Sequence, residues 1–162
     1  STAQQAQVIV NSAKYPPIGQ RGAAFGVAHD DYASGDILAK METANDNVML
    51  IAQIETVEGL ENLESIAEVD GIDVLWVGHF DLTNSMGIPG QFDHPKYLSA
   101  LDQVSGVARA TGKSAGFMAT TVNEGRSMLE RGFRSLAYGG DLWLYQKALS
   151  EGITQLRQNQ NL

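Results

Sequence analysis

From residue 48 onward, hydrophobic and polar positions alternate in a regular way. "VMLIAQIE" (48–55) is an unbroken β-prone apolar run that ends in an acid, the pattern of a strand covered on both faces. In "TVEGLENLESIAEV", Val57, Leu60, Leu63 and Ile66 with Ala67 recur at helical spacing, with acids opposite. "IDVLWVG" predicts a second buried strand, and "HFDLTNSMGIPGQFDHP" a loop. A helix over 95–110 turns Leu98, Leu101, Val104 and Ala108 inward and stops at "TGK". "SAGFMA", "TVNEGRSMLERG" and "SLAYGG" read as strand, helix and strand. A last helix, "DLWLYQKALSEGITQLR", aligns Tyr145, Leu149, Ile153 and Leu156.

The front of the chain is less regular. "STAQQAQVIVNSAKY" is a helix capped by Ser1 or Thr2, with Ala3, Ala6, Val10 and Ala13 on one side. The prolines and glycines of "YPPIGQRG" exclude regular structure, and 23–44 reads as a long loop with a helix around "GDILAKMETAND". The expected organisation is one domain: a helix over 1–14, a loop and helix region over 15–47, and four βα units over 48–162. Strict alternation implies parallel strands with right-handed crossovers. Four units make half of an eight-unit barrel or most of a small doubly wound sheet.

Composition narrows the function. Eleven basic against 19 acidic residues give a net charge of −8, a surface that repels nucleic-acid phosphate and anionic lipid. A small-molecule ligand or a protein partner is expected instead. No apolar run approaches the roughly 20 residues of a membrane span. Cysteine is absent, which removes disulfides, thiolate metal sites and cysteine nucleophiles and suits a cytoplasmic protein. The chain starts at Ser1 inside a helix cap, as a fragment or processed chain would.

Two apolar strands stop at a carboxylate, Glu55 and Asp81. Their separation, 81 − 55 = 26 residues, is about one βα repeat and sets both at the same level of neighbouring strands. Ligands of parallel α/β sheets bind outside the carboxyl ends of the strands. Two acids there suit one shared divalent cation, or else each simply opens the following turn, with Asp81 capping a short helix at "LTNS". "GHFDLTNSMG" is not a dinucleotide fingerprint, and no P-loop is present.

The stretch "AQIETVEGLENLESIAEVDGIDVLWVGHFDLTNSMGIPGQFDHP" closely resembles the HpcH/HpaI aldolases, metal-dependent class II pyruvate aldolases. The likeness continues through "GKSAGFMA" and "RGFRSLAYGGDLWLY" and back through "YPPIGQRG", so it covers essentially the whole chain. It implies a (β/α)8 barrel of which this chain holds about the C-terminal half. It implies that Glu55 and Asp81 are ligands of Mg²⁺, Mn²⁺ or Co²⁺, with Gln53 beside the metal and the substrate oxo group. Gly78 and the backbone N–H groups of Phe80 and Asp81 would hold the substrate carboxylate. The implied reaction is retro-aldol cleavage of a 4-hydroxy-2-oxo acid of the 4-hydroxy-2-oxoheptanedioate type, through a metal-stabilised pyruvate enolate. No lysine is needed, and none lies at a strand end.

His79 stands where the family usually has proline, and Thr83 where it has serine. Next to a metal carboxylate, His79 is a candidate third ligand or acid–base group, although strand alternation also allows it to point away. The family's acid–base histidine and pyruvate-binding arginine belong to a front half that is not in these residues. The expected partners are therefore a pyruvate-type 2-oxo acid, an N-terminal half and further copies in a homo-oligomer. Trp143, Leu144 and Tyr145 would lie at that interface or in ordinary core. Two other readings remain open: a catalytically silent binding or assembly module, and a citrate-lyase-β-like acyl-CoA lyase, which the negative charge disfavours.

Overall fold

Strand order settles the architecture. In the computed structural model, which describes residues 1–158, β1 (Ile51–Ile54), β2 (Val74–Val77), β3 (Ser114–Ala119) and β4 (Ser135–Tyr138) form one parallel sheet in the order β1-β2-β3-β4. Sequential order belongs to a barrel wall, whereas a doubly wound sheet reverses direction at its middle. Register runs level across the wall: Gln53 faces Trp76, Trp76 faces Gly116, and Gly116 faces Ser135.

Helices follow the strands. In chain order they are α1 (Ala3–Ala13), α2 (Ile37–Asn47), α3 (Val57–Glu61), α4 (Leu63–Ala67), α5 (His79–Ser85), α6 (Pro95–Ala110), α7 (Val122–Glu130) and α8 (Asp141–Gln158), and α6 and α7 cover one face of this wall. Helix α6 packs on β2 and β3, α7 on β3, and α4 on both α1 and α6. The core between wall and helices is built from Ile54, Leu75, Val77, Leu63, Leu82, Leu101, Val104 and Phe133, all buried. Ile54, Leu63, Leu101 and Val104 are apolar positions of the periodic pattern, so their burial follows the period of their elements.

Several expectations need correction. The strand over 48–55 shrinks to four residues, because Val48 caps α2 and the Leu50 N–H donates to the Asp73 carboxylate at 2.7 Å instead of joining the ladder. It is also covered on one face only: Ala52 and Ile54 are buried, while Ile51 and Gln53 look into open space on the side a full barrel would enclose. The expected helix after Glu55 breaks in two at Asn62, whose side-chain amide turns to donate to the Ser1 carbonyl at 3.1 Å. The segment read as a loop after Gly78 begins with α5. The stripe of α8 is aligned as expected yet faces solvent: none of its residues is buried, and Trp143 and Tyr145 are 53% and 66% exposed.

The long loop is pinned at both ends. Asn45 exchanges hydrogen bonds with the Tyr15 backbone, accepting at 2.7 Å and donating at 3.1 Å. Lys14, itself buried, donates to the carbonyls of Asn45 and Val48.

Candidate functional site

Glu55 is the residue after β1, and Gly78 the residue after β2. The Gly78 N–H donates to the Ile54 carbonyl at 3.1 Å, so the ladder sets Gly78 beside Glu55. Strand alternation puts Gln53 on the same face as Glu55, and the Gln53 amide donates to the Glu55 carboxylate. There is no room for a side chain at Gly78. A Cβ there would stand 2.8 Å from the Glu55 Cβ and Oε2 and 3.0 Å from the Gln53 Nε2. Its φ of −84° is ordinary, so the need for glycine is steric and is set by this acid–amide pair.

Helix α5 begins immediately after Gly78, with Asp81 in its first turn. Asp81 and Ser85 are four residues apart and share one stripe of the helix. The Ser85 hydroxyl accepts from the Val57 N–H at 3.0 Å, which turns that stripe toward the segment just past Glu55. Asp81 is therefore not the N-cap considered from sequence. Gly78 holds that position, with no side-chain cap, and the N–H groups of His79, Phe80 and Asp81 have no intrahelical acceptor. Neither Glu55 nor Asp81 is in a salt bridge among the described residues. Two unpaired hard oxygen donors, Glu55 partly exposed and Asp81 exposed, with an amide beside the first, fit a divalent cation that keeps water or substrate in its other positions.

His79 goes elsewhere. Its ring lies 5.2 Å from Phe117, a buried residue on the helix-facing side of β3, and 4.8 and 5.4 Å from Phe80 and Phe92. Burial pushes its pKa below the ordinary histidine value, with Glu124 and Asp81 pulling the other way. A ring packed among aromatics anchors the first turn of α5. No trio of His, Cys, Asp or Glu among the described residues is grouped to hold a metal. Thr83 ties the first turn of α5 to the loop that follows it. Fully buried, its Oγ1 sits 3.0 and 2.9 Å from the carbonyls of His79 and Phe80 and accepts from the Gly90 N–H at 3.1 Å.

Ser85, Trp76 and Phe92 went unremarked in the sequence. Ser85 had a usable signal in its four-residue spacing from Asp81. Trp76 did not, since only the register shows its indole lying across Gly116, where a Cβ would come within 2.4 Å. A cavity of about 580 Å³ lies among Tyr15, Arg21, Phe25, His29 and Lys40 in the long loop, away from these strand ends. The acids at the carboxyl ends remain the stronger candidate, because that is where parallel α/β architecture delivers ligands.

Comparison with known proteins agrees with this architecture. Residues 1–148 match the HpcH/HpaI aldolase/citrate lyase family. The 2-keto-3-deoxy-L-rhamnonate aldolase of Klebsiella pneumoniae is 38% identical over 158 residues, covering 98% of this chain and 59% of the relative. The crystal structure of an HpcH/HpaI aldolase from Desulfitobacterium hafniense superposes with a TM-score of 0.90 at 30% identity, over 99% of this chain and 62% of that one. Macrophomate synthase superposes at 0.82 with 28% identity, over 97% and 56%. The chain thus spans about three-fifths of the length of the curated relatives it matches, and its four-stranded wall is part of their barrel. It belongs to the HpcH/HpaI aldolase/citrate lyase family.

Proposed function

We propose that this chain supplies the carboxylate half of a divalent-metal-dependent aldolase site that cleaves a 4-hydroxy-2-oxo acid to pyruvate and an aldehyde. The observation that carries the reading is the packing of Gln53, Glu55 and Gly78 at the open end of a parallel wall, with Asp81 on the stripe of α5 that turns to the same strand end. Family membership supports the reaction class. The substrate named for the Klebsiella relative, 2-keto-3-deoxy-L-rhamnonate, is itself a 4-hydroxy-2-oxo acid and supports the substrate class.

Glu55 and Asp81 would hold Mg²⁺, Mn²⁺ or Co²⁺ through carboxylate oxygens. When bound, the ion supplies Lewis acidity for the negative charge that develops on the 2-oxo oxygen. Gln53 fixes the Glu55 carboxylate by donating one amide hydrogen to it. The unpartnered N–H groups of Phe80 and Asp81, next to the bare Cα of Gly78, receive the substrate carboxylate. In cleavage the C3–C4 bond breaks, the 4-hydroxyl loses its proton to become the aldehyde carbonyl, and C3 gains a proton to become the pyruvate methyl. The groups that move those protons lie, in this proposal, on a front half outside these residues. The exposed stripe of α8 supports a homo-oligomer, and a cytoplasmic location belongs to the same reading.

The test is pyruvate release from 4-hydroxy-2-oxo acids by the full-length protein, with Mn²⁺ or Mg²⁺ and with EDTA. Glu55→Gln and Asp81→Asn should each lower kcat by roughly 100-fold, the order of losing one stabilising group, and weaken Mn²⁺ binding. Activity that survives EDTA, or unchanged Mn²⁺ affinity in both variants, sinks the reading.

A further inference from the structure

Two ties join helix α5 to the chain around Glu55, and together they bracket both acids. The first is backbone: the Gly78 N–H donates to the carbonyl of Ile54, one residue before Glu55, at 3.1 Å. The second is a side chain: the Ser85 hydroxyl accepts from the N–H of Val57, two residues after Glu55, at 3.0 Å. Asp81 therefore lies between Gly78 and Ser85, just as Glu55 lies between Ile54 and Val57. Among the described residues, Ser85 makes the one side-chain hydrogen bond between α5 and this segment, since the Thr83 hydroxyl bonds within α5 and to Gly90.

Helix α5 is seven residues long, too short to keep a direction without outside contacts. Leu82 and Thr83 are fully buried and hold its core side. Asp81 and Ser85 are exposed, so their stripe depends on what ties it from outside. Along the axis Asp81 stands about 4.5 Å beyond Gly78, so a tilt of about 10° there moves it by roughly 0.8 Å. That exceeds the roughly 0.5 Å within which a metal constellation has to be held. The Val57 N–H opens α3 and has no intrahelical acceptor. Water can replace Ser85 on that exposed amide, so the bond adds little to folding stability and acts on direction instead. Resting on the aldolase reading above, we infer that Ser85 is a positioning residue for the divalent cation: by holding the Val57 N–H it keeps the Asp81 carboxylate at working distance from that of Glu55.

The test titrates Mn²⁺ into the full-length protein without substrate and follows binding by electron paramagnetic resonance. Ser85→Ala should weaken Mn²⁺ binding by roughly tenfold, the lower end of what groups orienting metal ligands contribute. Its Tm should move by no more than about 2 °C, as for a surface substitution. Ser85→Thr, which keeps the hydroxyl, should recover most of the affinity. Ser85→Ala added to Asp81→Asn should cost nothing further, because Ser85 acts through Asp81. Amide exchange at Val57 should quicken in Ser85→Ala. Unchanged Mn²⁺ affinity in Ser85→Ala overturns the inference. So does a loss that multiplies with that of Asp81→Asn, one that Ser85→Thr does not recover, or one that comes only with unfolding, which would make Ser85 a prop of the fold. If Glu55→Gln and Asp81→Asn both leave Mn²⁺ affinity unchanged, the metal reading fails and this role fails with it. If they weaken binding and Ser85→Ala does not, the positioning role alone is lost.

Discussion

Gly78 is the residue on which the candidate site closes most tightly. Adding a methyl puts carbon 2.8 Å from the Glu55 carboxylate and 3.0 Å from the Gln53 amide, while the backbone angles suit any residue. Gly78→Ala should therefore act through the acid–amide pair. We expect a destabilisation of about 1–3 kcal/mol, as for overpacking, with Mn²⁺ affinity falling by roughly tenfold in titrations of the folded variant. Unchanged affinity would show that Glu55 does not hold the ion. A second single-residue effect is acid-dependent. The Asp30 carboxylate accepts from Lys40 at 2.8 Å and from the Gly26 and Val27 N–H groups at 2.9 Å each. Together, with Lys40 the largest cause, they hold its pKa down to about 2. A depressed folded value stabilises above the unfolded carboxylate pKa and is lost as pH falls through the folded one. Asp30→Asn should thus flatten the fall of Tm between about pH 4 and pH 2, with parallel curves for variant and parent counting against the pairing. The sequence revealed the acids, since a carboxylate ending an apolar run is visible. It concealed the destination of His79, because a side chain's direction at a strand-to-helix turn depends on what packs against it.

Elements were most readable where one period ran long. The helix over 95–110 and the strand over 114–119 stand where the pattern put them, each carrying its apolar face into the core. The short elements shifted because single hydrogen bonds outweigh propensity there: Asp73 takes the Leu50 N–H, and Asn62 breaks a helix to reach Ser1. The region over 15–47, read as loop and helix, holds a single 3-10 turn at Ala28–Asp30 before α2, but its anchoring was invisible. It depends on Lys14, thirty-one residues from one of its acceptors. Lys14→Met would leave the carbonyls of Asn45 and Val48 without their donor. The expected cost is about 1–3 kcal/mol, the penalty for orphaned buried polar groups, measured as a lower urea midpoint with unchanged slope. Helix α8 poses the opposite problem. Its stripe of Tyr145, Leu149, Ile153 and Leu156 has the spacing of a buried face and none of the burial. Leu149→Glu with Ile153→Glu should leave Tm within about 0.5 kcal/mol-equivalent if the stripe is idle. It should instead shift the full-length protein to lower mass in sedimentation if copies pack on it.

At the scale of the whole molecule, the surface area is the informative quantity. A compact chain of this size exposes about 7,900 Å², and this one exposes 10364 Å². The excess, roughly 2,000–2,500 Å², matches what a permanent protein interface buries. Its location is consistent with a wall lacking its other half. Ile51 and Gln53 on β1 and Tyr138 on β4 are exposed, the two outer strands have unpaired edges, and α8 stands clear of the core. Open parallel edges beside apolar surface are a template for pairing with another chain. A protein of residues 1–162 alone should therefore not persist as a monomer at micromolar concentration. Native mass spectrometry should find it self-associated, and an apolar dye should light up on it. A protein extended to the length of the relatives it matches should bind far less dye per chain and lose its amide hydrogens from β1 much more slowly in exchange experiments. A dye-silent monomer with a protected β1 would mean that this half-wall closes on itself, and that Gln53 and Glu55 face solvent in the working protein rather than the inside of a barrel.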